Sequence, residues 1–198
     1  FKRNVLEVLR QPMEDRVVTI ARARQTTEFP ANFMLVAAMN PCPCGYYNHP
    51  TQECTCQPGT VEKYLNRISG PLLDRIDLHI EVTPVPFEEL SKKDAREKSK
   101  TVRERVALAR QIQTERFADV PEIHSNAQMT AKQIEKYCKL DEECSLLLKS
   151  AMDRLSLSAR AYDRIRKVAR TIADLANSKD IKPEHLAEAI QYRSLDRD

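Results

Sequence analysis

The sequence predicts an α/β region followed by an all-helical bundle, with helix as the dominant structure. Segments rich in β-branched and apolar residues, which are typical of short strands, occur only in the first part of the chain, at 16–23, 32–39 and 77–82. From residue 94 onward, apolar residues recur at the spacing of one helix face, and no further strand pattern follows.

A proline-containing segment separates these two patterns. Pro84 and Pro86 lie within 83–87, and proline interrupts both helices and central strands. We therefore expect one domain at 1–83, a linker at 84–93 and a helical domain at 94–198.

The first domain is predicted to contain few strands. Residues 1–11 place apolar side chains on one helical face, and Pro12 is expected to end that helix. A strand at 16–23 follows, and then a polar stretch at 22–28 that forms either a hairpin tip or a loop. The segment 32–39 is apolar throughout, which is typical of a strand buried on both faces of a parallel sheet.

The remainder of this domain combines an irregular loop with short elements. Proline, glycine and cysteine are concentrated in 41–60, which excludes regular structure there. The pattern then predicts a short helix at 61–68, a break at 69–71, a helical turn at 72–75 and an alternating strand at 77–82.

Helix starts in the second domain carry local signals. Its first helix is long and charged, at 94–117. Capping patterns then predict helices that begin after Thr130, Asp141 and Ser158, and Pro183 suits the first turn of a last helix. The apolar stripe of the helix after Ser158 consists of Ala161, Ile165, Val168, Ala169, Ile172 and Leu175.

Composition excludes several classes of protein. The 198 residues contain 32 Lys+Arg and 29 Asp+Glu, a net charge of +3 that names no partner. None of the three glycines frames a G-x-x-x-x-G-K-S/T phosphate loop or a G-x-G-x-x-G fingerprint. The longest apolar run, 33–39, is too short for a membrane helix. Because no export signal is recognisable, we expect a soluble, cytoplasmic protein, and the first residues suggest a piece of a longer chain.

Four of the six cysteines form two close pairs in the irregular loop. Cys42 and Cys44 make up the first pair, and Cys54 and Cys56 the second. Because Zn²⁺ prefers four soft ligands in tetrahedral geometry, the pairs predict a structural zinc site, with His49 between them as a substitute ligand. Free or oxidised thiols remain the alternative.

Three further residues stand where ligands are often bound. Asn40 follows the apolar segment and lies either at the ligand-binding edge of a sheet or in a turn before Pro41. Arg75 precedes a predicted strand and either forms a surface ion pair or reaches a phosphate on a neighbouring subunit. Arg160 lies on the first turn of its helix, where a solvated charge is the simpler interpretation.

Basic residues are grouped in two places. Arg22 and Arg24 lie between two predicted strands and either bind nucleic-acid phosphates or keep a turn soluble. One helix presents either a basic face or an ordinary solvated surface, formed by Arg164, Arg166, Lys167 and Arg170.

Four segments, taken in order, are similar to a known family. They are FKRNVLEVLRQPMEDRVVTIARA, FPANFMLVAAMNPCPCG, YLNRISGPLLDRIDLHIEV and LSARAYDRIRKVARTIADL. The chain resembles the magnesium-chelatase-like AAA+ ATPases of the ComM/YifB branch. The resemblance implies the C-terminal part of an AAA+ core, with a cysteine-rich insertion, followed by the helical lid. In the family the phosphate loop and the Walker B strand precede this region, so the chain alone is not expected to hydrolyse ATP.

The resemblance also implies roles for individual residues. Asn40, in AAMNP, resembles sensor 1, which orients the attacking water. Arg75, in LLDRID, resembles the arginine finger offered to the ATP of the neighbouring subunit. Arg160, in LSARAYDR, resembles the sensor 2 arginine of the lid. The segment RVVTIARAR resembles the pre-sensor-1 hairpin of a central pore, which makes Arg22 and Arg24 candidate DNA contacts.

A ring-forming DNA motor is the function that the resemblance implies. The parent protein would use ATP and Mg²⁺, form a hexameric ring and act as a helicase-type motor that drives branch migration on single-stranded or branched DNA during natural transformation. The cysteine cluster favours this branch over the pigment chelatases. Two alternatives stay open: a chelatase-type motor that remodels a protein partner, and a non-motor binding module stabilised by zinc.

Overall fold

The computed structural model describes residues 1–85, 97–120 and 122–193. These residues form two compact units, which are described separately. The first consists of 1–76 with 82–84, and the second of 77–81, residue 85 and the described residues from 97 onward. Most of the predicted linker and the start of the long helix, at 86–96, lie outside the described residues.

Short helices and one hairpin make up the first unit. They are α1 (Arg3–Glu7), α2 (Arg10–Asp15), β1 (Val17–Arg22), β2 (Gln25–Pro30), α3 (Thr60–Leu65) and α4 (Gly70–Leu73). The two strands pair antiparallel, with Arg22 opposite Gln25. The strand predicted at 16–23 is therefore confirmed. The polar stretch after it consists mainly of the second strand, and only 23–24 form the turn.

The predicted helix at 1–11 is divided in the structure, and Pro12 does not end it. The first helix stops at Glu7, and Pro12 lies in the first turn of α2, where a missing N–H costs no helical hydrogen bond. α2 ends at Asp15, and the residue after it, Arg16, adopts a left-handed φ of 60° and donates its N–H to the Pro12 carbonyl over 3.1 Å. The helix is therefore ended by backbone geometry at Arg16.

Two of the predicted strands, at 32–39 and 77–82, are wrong. A strand exists through hydrogen bonds to a neighbour, and among the described residues β1 and β2 pair only with each other. The apolar side chains of the first segment stay largely exposed; Met34 is 87% exposed. In the second segment, the His79 N–H donates to the carbonyl of Tyr192, which lies in a turn and not in a strand, over 2.7 Å.

Helices form the second unit. They are α5 (Ser99–Arg116), a 3₁₀ turn (Asn126–Gln128), α6 (Ala131–Tyr137), α7 (Glu142–Arg154), α8 (Ala159–Leu175) and α9 (Pro183–Gln191). The predicted starts are confirmed. Thr130 forms a capping box with Gln133, and the side chains of Asp141 and Ser158 accept backbone N–H groups of the helices that follow them. The observed architecture, mainly helical with one small sheet, agrees with the helix-dominated fold that the sequence predicts.

The core of the second unit surrounds α8, which contacts α5, α6, α9 and the 3₁₀ turn. Ala161, Ile165 and Ala169 on its apolar stripe are fully buried. Cys138 and Cys144, the two cysteines outside the irregular loop, are buried in the same core. Desolvation by burial raises the pKa of Cys138 to about 11 and that of Cys144 to about 12, so both stay neutral thiols.

Candidate metal centre and nucleotide-contact residues

Four cysteine sulfur atoms converge in the loop between β2 and α3. Cys42, Cys44, Cys54 and Cys56 place their Sγ atoms within 4.8 Å of one another. The Sγ of Cys44 lies 3.3 Å from that of Cys42 and 3.5 Å from that of Cys54. Zinc–sulfur bonds of about 2.3 Å at tetrahedral angles place the sulfur atoms about 3.8 Å apart. The cluster therefore has the size and donor set of a four-thiolate metal site.

Backbone turns bring the two pairs together. Gly45 adopts a φ of 86°, and its N–H donates to the Cys42 carbonyl over 3.1 Å. This turn reverses the chain directly after the first pair. Gly59, with a φ of 76°, precedes α3 and ends the loop. Glycine suits both positions because other residues are strained at positive φ.

The sulfur atoms do not titrate alike. The backbone N–H of Tyr46 donates to Cys44 and lowers its pKa to about 5, although desolvation opposes this effect. The backbone N–H of Cys44 acts to lower the pKa of Cys56, but desolvation and the neighbouring thiols raise it to about 12. Adjacent thiolates repel one another, so a divalent cation is the group that would allow all four to ionise.

His49 organises the loop and does not belong to the sulfur cluster. Its Nδ1 accepts the backbone N–H groups of Thr51 at 3.2 Å and Gln52 at 3.1 Å. Its ring packs edge-on against Tyr46, with 5.6 Å between the centroids. The group that could hold a metal ion consists of the four cysteines, and His49 is not part of it.

Arg75 is buried at the end of α4. Only 7% of its surface is exposed. Its Nη1 donates to the Pro71 carbonyl over 2.6 Å, and its Nη2 forms an ion pair with Oε2 of Glu14 on α2. Both residues line an open groove of the first unit together with Glu7, Arg10, Gln11 and Asp15. The partner is 61 residues away in sequence, so no local pattern could have identified Glu14.

Asn40 and Arg160 are exposed and belong to different units. Asn40 lies in the irregular segment, two residues before Cys42, and it is not among the residues that line the Arg75 groove. Arg160 is the second residue of α8, next to the end where Ser158 accepts the Ala161 N–H over 3.2 Å. It stands, as the sequence predicts, on the first turn of a well-capped helix.

Arg22 and Arg24 lie at the tip of the hairpin. Arg22 is the last residue of β1, and Arg24 lies in the turn. Both are exposed. The structure therefore brings these two charges together at one end of the β1–β2 ribbon.

The four basic residues of α8 do not form an exposed basic face, because two of them are buried. Arg166 and Arg170 are buried, with 5% and 3% of their surfaces exposed. Arg166 donates to the Cys138 carbonyl, and Arg170 to the carbonyls of Ser178 and Lys179. The sequence did contain a sign that Arg170 is buried and paired. Arg170 adjoins the apolar stripe at Ala169 and precedes Asp174 by four residues, the spacing of an ion pair on one helix face.

Comparison with known proteins agrees with the motifs. The family model described as magnesium chelatase, subunit ChlI, matches residues 1–90, and the model described as magnesium chelatase, subunit ChlI C-terminal, matches residues 96–193. The chain belongs to the magnesium chelatase ChlI-like family. The resemblance inferred from the motifs is thereby confirmed.

Relatives within this family match the chain along its length. Competence protein ComM of Haemophilus influenzae is 46% identical over 198 residues, and the uncharacterized protein YifB of Escherichia coli is 42% identical over the same length. An uncharacterized protein of Mycobacterium tuberculosis is 36% identical over 190 residues, or 96% of this chain and 37% of that relative. The chain covers 38% of the length of each of the first two relatives, and they match 100% of the chain.

Within the ranges that the structure describes, no helix combines the length and apolar character that crossing a membrane requires.

Proposed function

We propose that this chain is the sensor and lid portion of a ring-forming AAA+ ATPase that moves DNA. The observation that carries the proposal is the match along the whole chain, at 46% identity, to a relative named a competence protein. In this assignment 1–83 belongs to the AAA+ core, 84–93 is a linker and 94–198 is the lid domain. The ring would be hexameric, and the natural activity would be branch migration.

Arg160 supplies the lid contact to nucleotide in this proposal. An exposed arginine on the first turn of a 17-residue helix adds its charge to the positive end of the helix dipole, and both attract phosphate. Arg75 would neutralise charge on the nucleotide of the neighbouring subunit, and the Asn40 amide would orient water. ATP with Mg²⁺ supplies the phosphoanhydride bond whose hydrolysis drives movement.

The residues present fit only part of an ATP site. The three glycines lie at Gly45, Gly59 and Gly70, and none forms a phosphate loop. We therefore expect no ATPase activity from the 198 residues alone. In the full-length protein, Arg75→Ala and Arg160→Ala should each lower kcat about 100-fold or more, because charge stabilisation is lost at the transferred phosphate. Arg103→Ala, at an exposed position of α5, is the matched control and should leave kcat unchanged.

The hairpin tip is the proposed DNA contact. Two exposed arginines at the end of a two-stranded ribbon can bind phosphates without reading the base sequence. Arg22→Ala combined with Arg24→Ala in the full-length protein should weaken binding to single-stranded DNA and make its dependence on salt less steep by roughly two phosphate contacts. An unchanged salt dependence, with binding to a protein partner alone, would favour the protein-remodelling or binding-module alternatives.

Zinc is the proposed occupant of the cysteine cluster. Four thiolates fill a tetrahedral shell and leave no position for water, which makes the site structural. Because Cys42 follows Asn40 by two residues, the metal would also hold the sensor amide in place. Elemental analysis of the purified chain should give about one zinc per chain. Cys44→Ser should lower this content severalfold, whereas Cys138→Ala, outside the cluster, should not.

A further inference from the structure

Glu14 and Arg75 form a contact that the proposed function does not use. Arg75 is the proposed finger, yet its guanidinium points within its own unit, to the Glu14 carboxylate and the Pro71 carbonyl. Its Nε is buried and has no hydrogen-bond partner among the described residues. Glu14 is 43% exposed at the edge of the groove, so solvent and ligands can reach the carboxylate side of the pair.

Carboxylate and phosphate are alternative partners for one guanidinium. Both present oxygen atoms to the same planar fork of N–H donors. While Nη1 donates to Pro71 and Nη2 to Glu14, the guanidinium stays buried against its own unit and does not extend to a phosphate on another subunit. The finger must leave Glu14 before it reaches a nucleotide outside its own unit.

We propose that Glu14 is a positioning residue that holds Arg75 in a withdrawn arrangement and competes with the nucleotide phosphate of the neighbouring subunit for it. This inference rests on the proposed role of Arg75. The phosphate can displace Glu14, because an ion pair with one partly exposed partner contributes little free energy. Occupation of the neighbouring site by a triphosphate then releases the finger from Glu14.

The experiment compares Glu14→Gln with the unchanged full-length protein. The substitution removes the charge and keeps the shape. It should lower the KM for ATP and the concentration of a non-hydrolysable ATP analogue at which rings assemble, each about two- to fivefold, as expected for loss of a partly exposed ion pair. Asp15→Asn removes one charge from the same groove at a position next to Glu14 and should leave both values unchanged.

Repeating the Glu14→Gln substitution in the Arg75→Ala protein tests whether Glu14 acts through Arg75 or only supports the local structure. In the Arg75→Ala protein, analogue-driven ring assembly is followed by sedimentation, and Glu14→Gln should no longer shift its midpoint. An equal shift in both backgrounds would overturn the inference, as would a rise in KM or an unchanged midpoint on Glu14→Gln alone.

The same variants separate the two hypotheses. If Arg75→Ala leaves kcat and assembly unaltered, the finger role fails and the Glu14 inference fails with it. If Arg75→Ala abolishes turnover while Glu14→Gln changes neither value, only the Glu14 inference fails.

Discussion

The carboxylate of Asp174 is fully buried and binds the guanidinium of Arg116 through both of its oxygen atoms. The contact joins α8 to the end of α5, 58 residues apart in sequence. Arg170 donates its Nε to the same carboxylate over 3.1 Å, and Asn126 donates its Nδ2 over 2.8 Å. One buried acid thus ties two helices and the 3₁₀ turn together.

Asp174→Asn should strongly destabilise the second unit. The substitution leaves Arg116 and Arg170 close together without their shared anion, and breaking a buried pair costs about 3–5 kcal/mol of the free energy of unfolding. Urea denaturation followed by circular dichroism measures this loss. Asp153→Asn, at an exposed position of α7, should change stability by less than about 0.5 kcal/mol. A loss below about 1 kcal/mol for Asp174→Asn would show that the network is dispensable.

Asp141 should make stability depend on pH in the acidic range. The backbone N–H of Cys144 donates to its Oδ1 over 2.8 Å and lowers the pKa of the carboxyl below its ordinary value of 3.8. The folded state thus favours the ionised form. The stabilisation is fully present above the ordinary pKa and is lost as the pH falls through the folded value.

Thermal unfolding of the chain and of Asp141→Asn tests this expectation. The difference in Tm between the two should be largest near neutral pH and should shrink below about pH 4. The Tm of Asp153→Asn should follow that of the unchanged chain across the same pH range. A difference that widens on acidification would contradict the assigned sign.

Removal of the proposed zinc should loosen the cysteine loop and leave the helical core intact. The four sulfur atoms converge in the first unit, and the core around α8 contains none of them. After chelation, amide hydrogen exchange should rise across 42–58 and stay unchanged in α8. Equal loss of protection in both regions would mean that the metal supports more than its own loop.

Gly45 and Gly70 provide a matched pair of glycine substitutions. Gly45→Ala adds a Cβ at a φ of 86° and should weaken zinc binding about fivefold, since the left-handed conformation costs about 1 kcal/mol. Gly70 begins α4 without a left-handed φ, and an added Cβ would meet no atom within 4 Å. Gly70→Ala should therefore retain zinc affinity. Equal affinities for the two variants would exclude a role for the Cys42–Gly45 turn.

Strand prediction failed where pairing depends on distant residues. The segment 32–39 has the composition of a buried strand, and composition predicts how well a side chain fits a sheet. It does not supply the neighbour that receives the hydrogen bonds. The strand at 16–23 was predicted correctly, but its partner β2 was not, because the polar residues of 25–30 lack the apolar pattern of a strand and become one only by pairing with β1.

Local chemistry in the sequence determined the helix starts, the cysteine cluster and the family. A capping side chain acts within three residues, as Ser158 does on Ala161, and closely spaced cysteines need only short turns to converge. Tertiary structure alone decided which charges are buried and what they bind. Glu14 holds Arg75, and Asp174 holds Arg116, across about 60 residues of chain, because folding and not spacing brings these groups into contact.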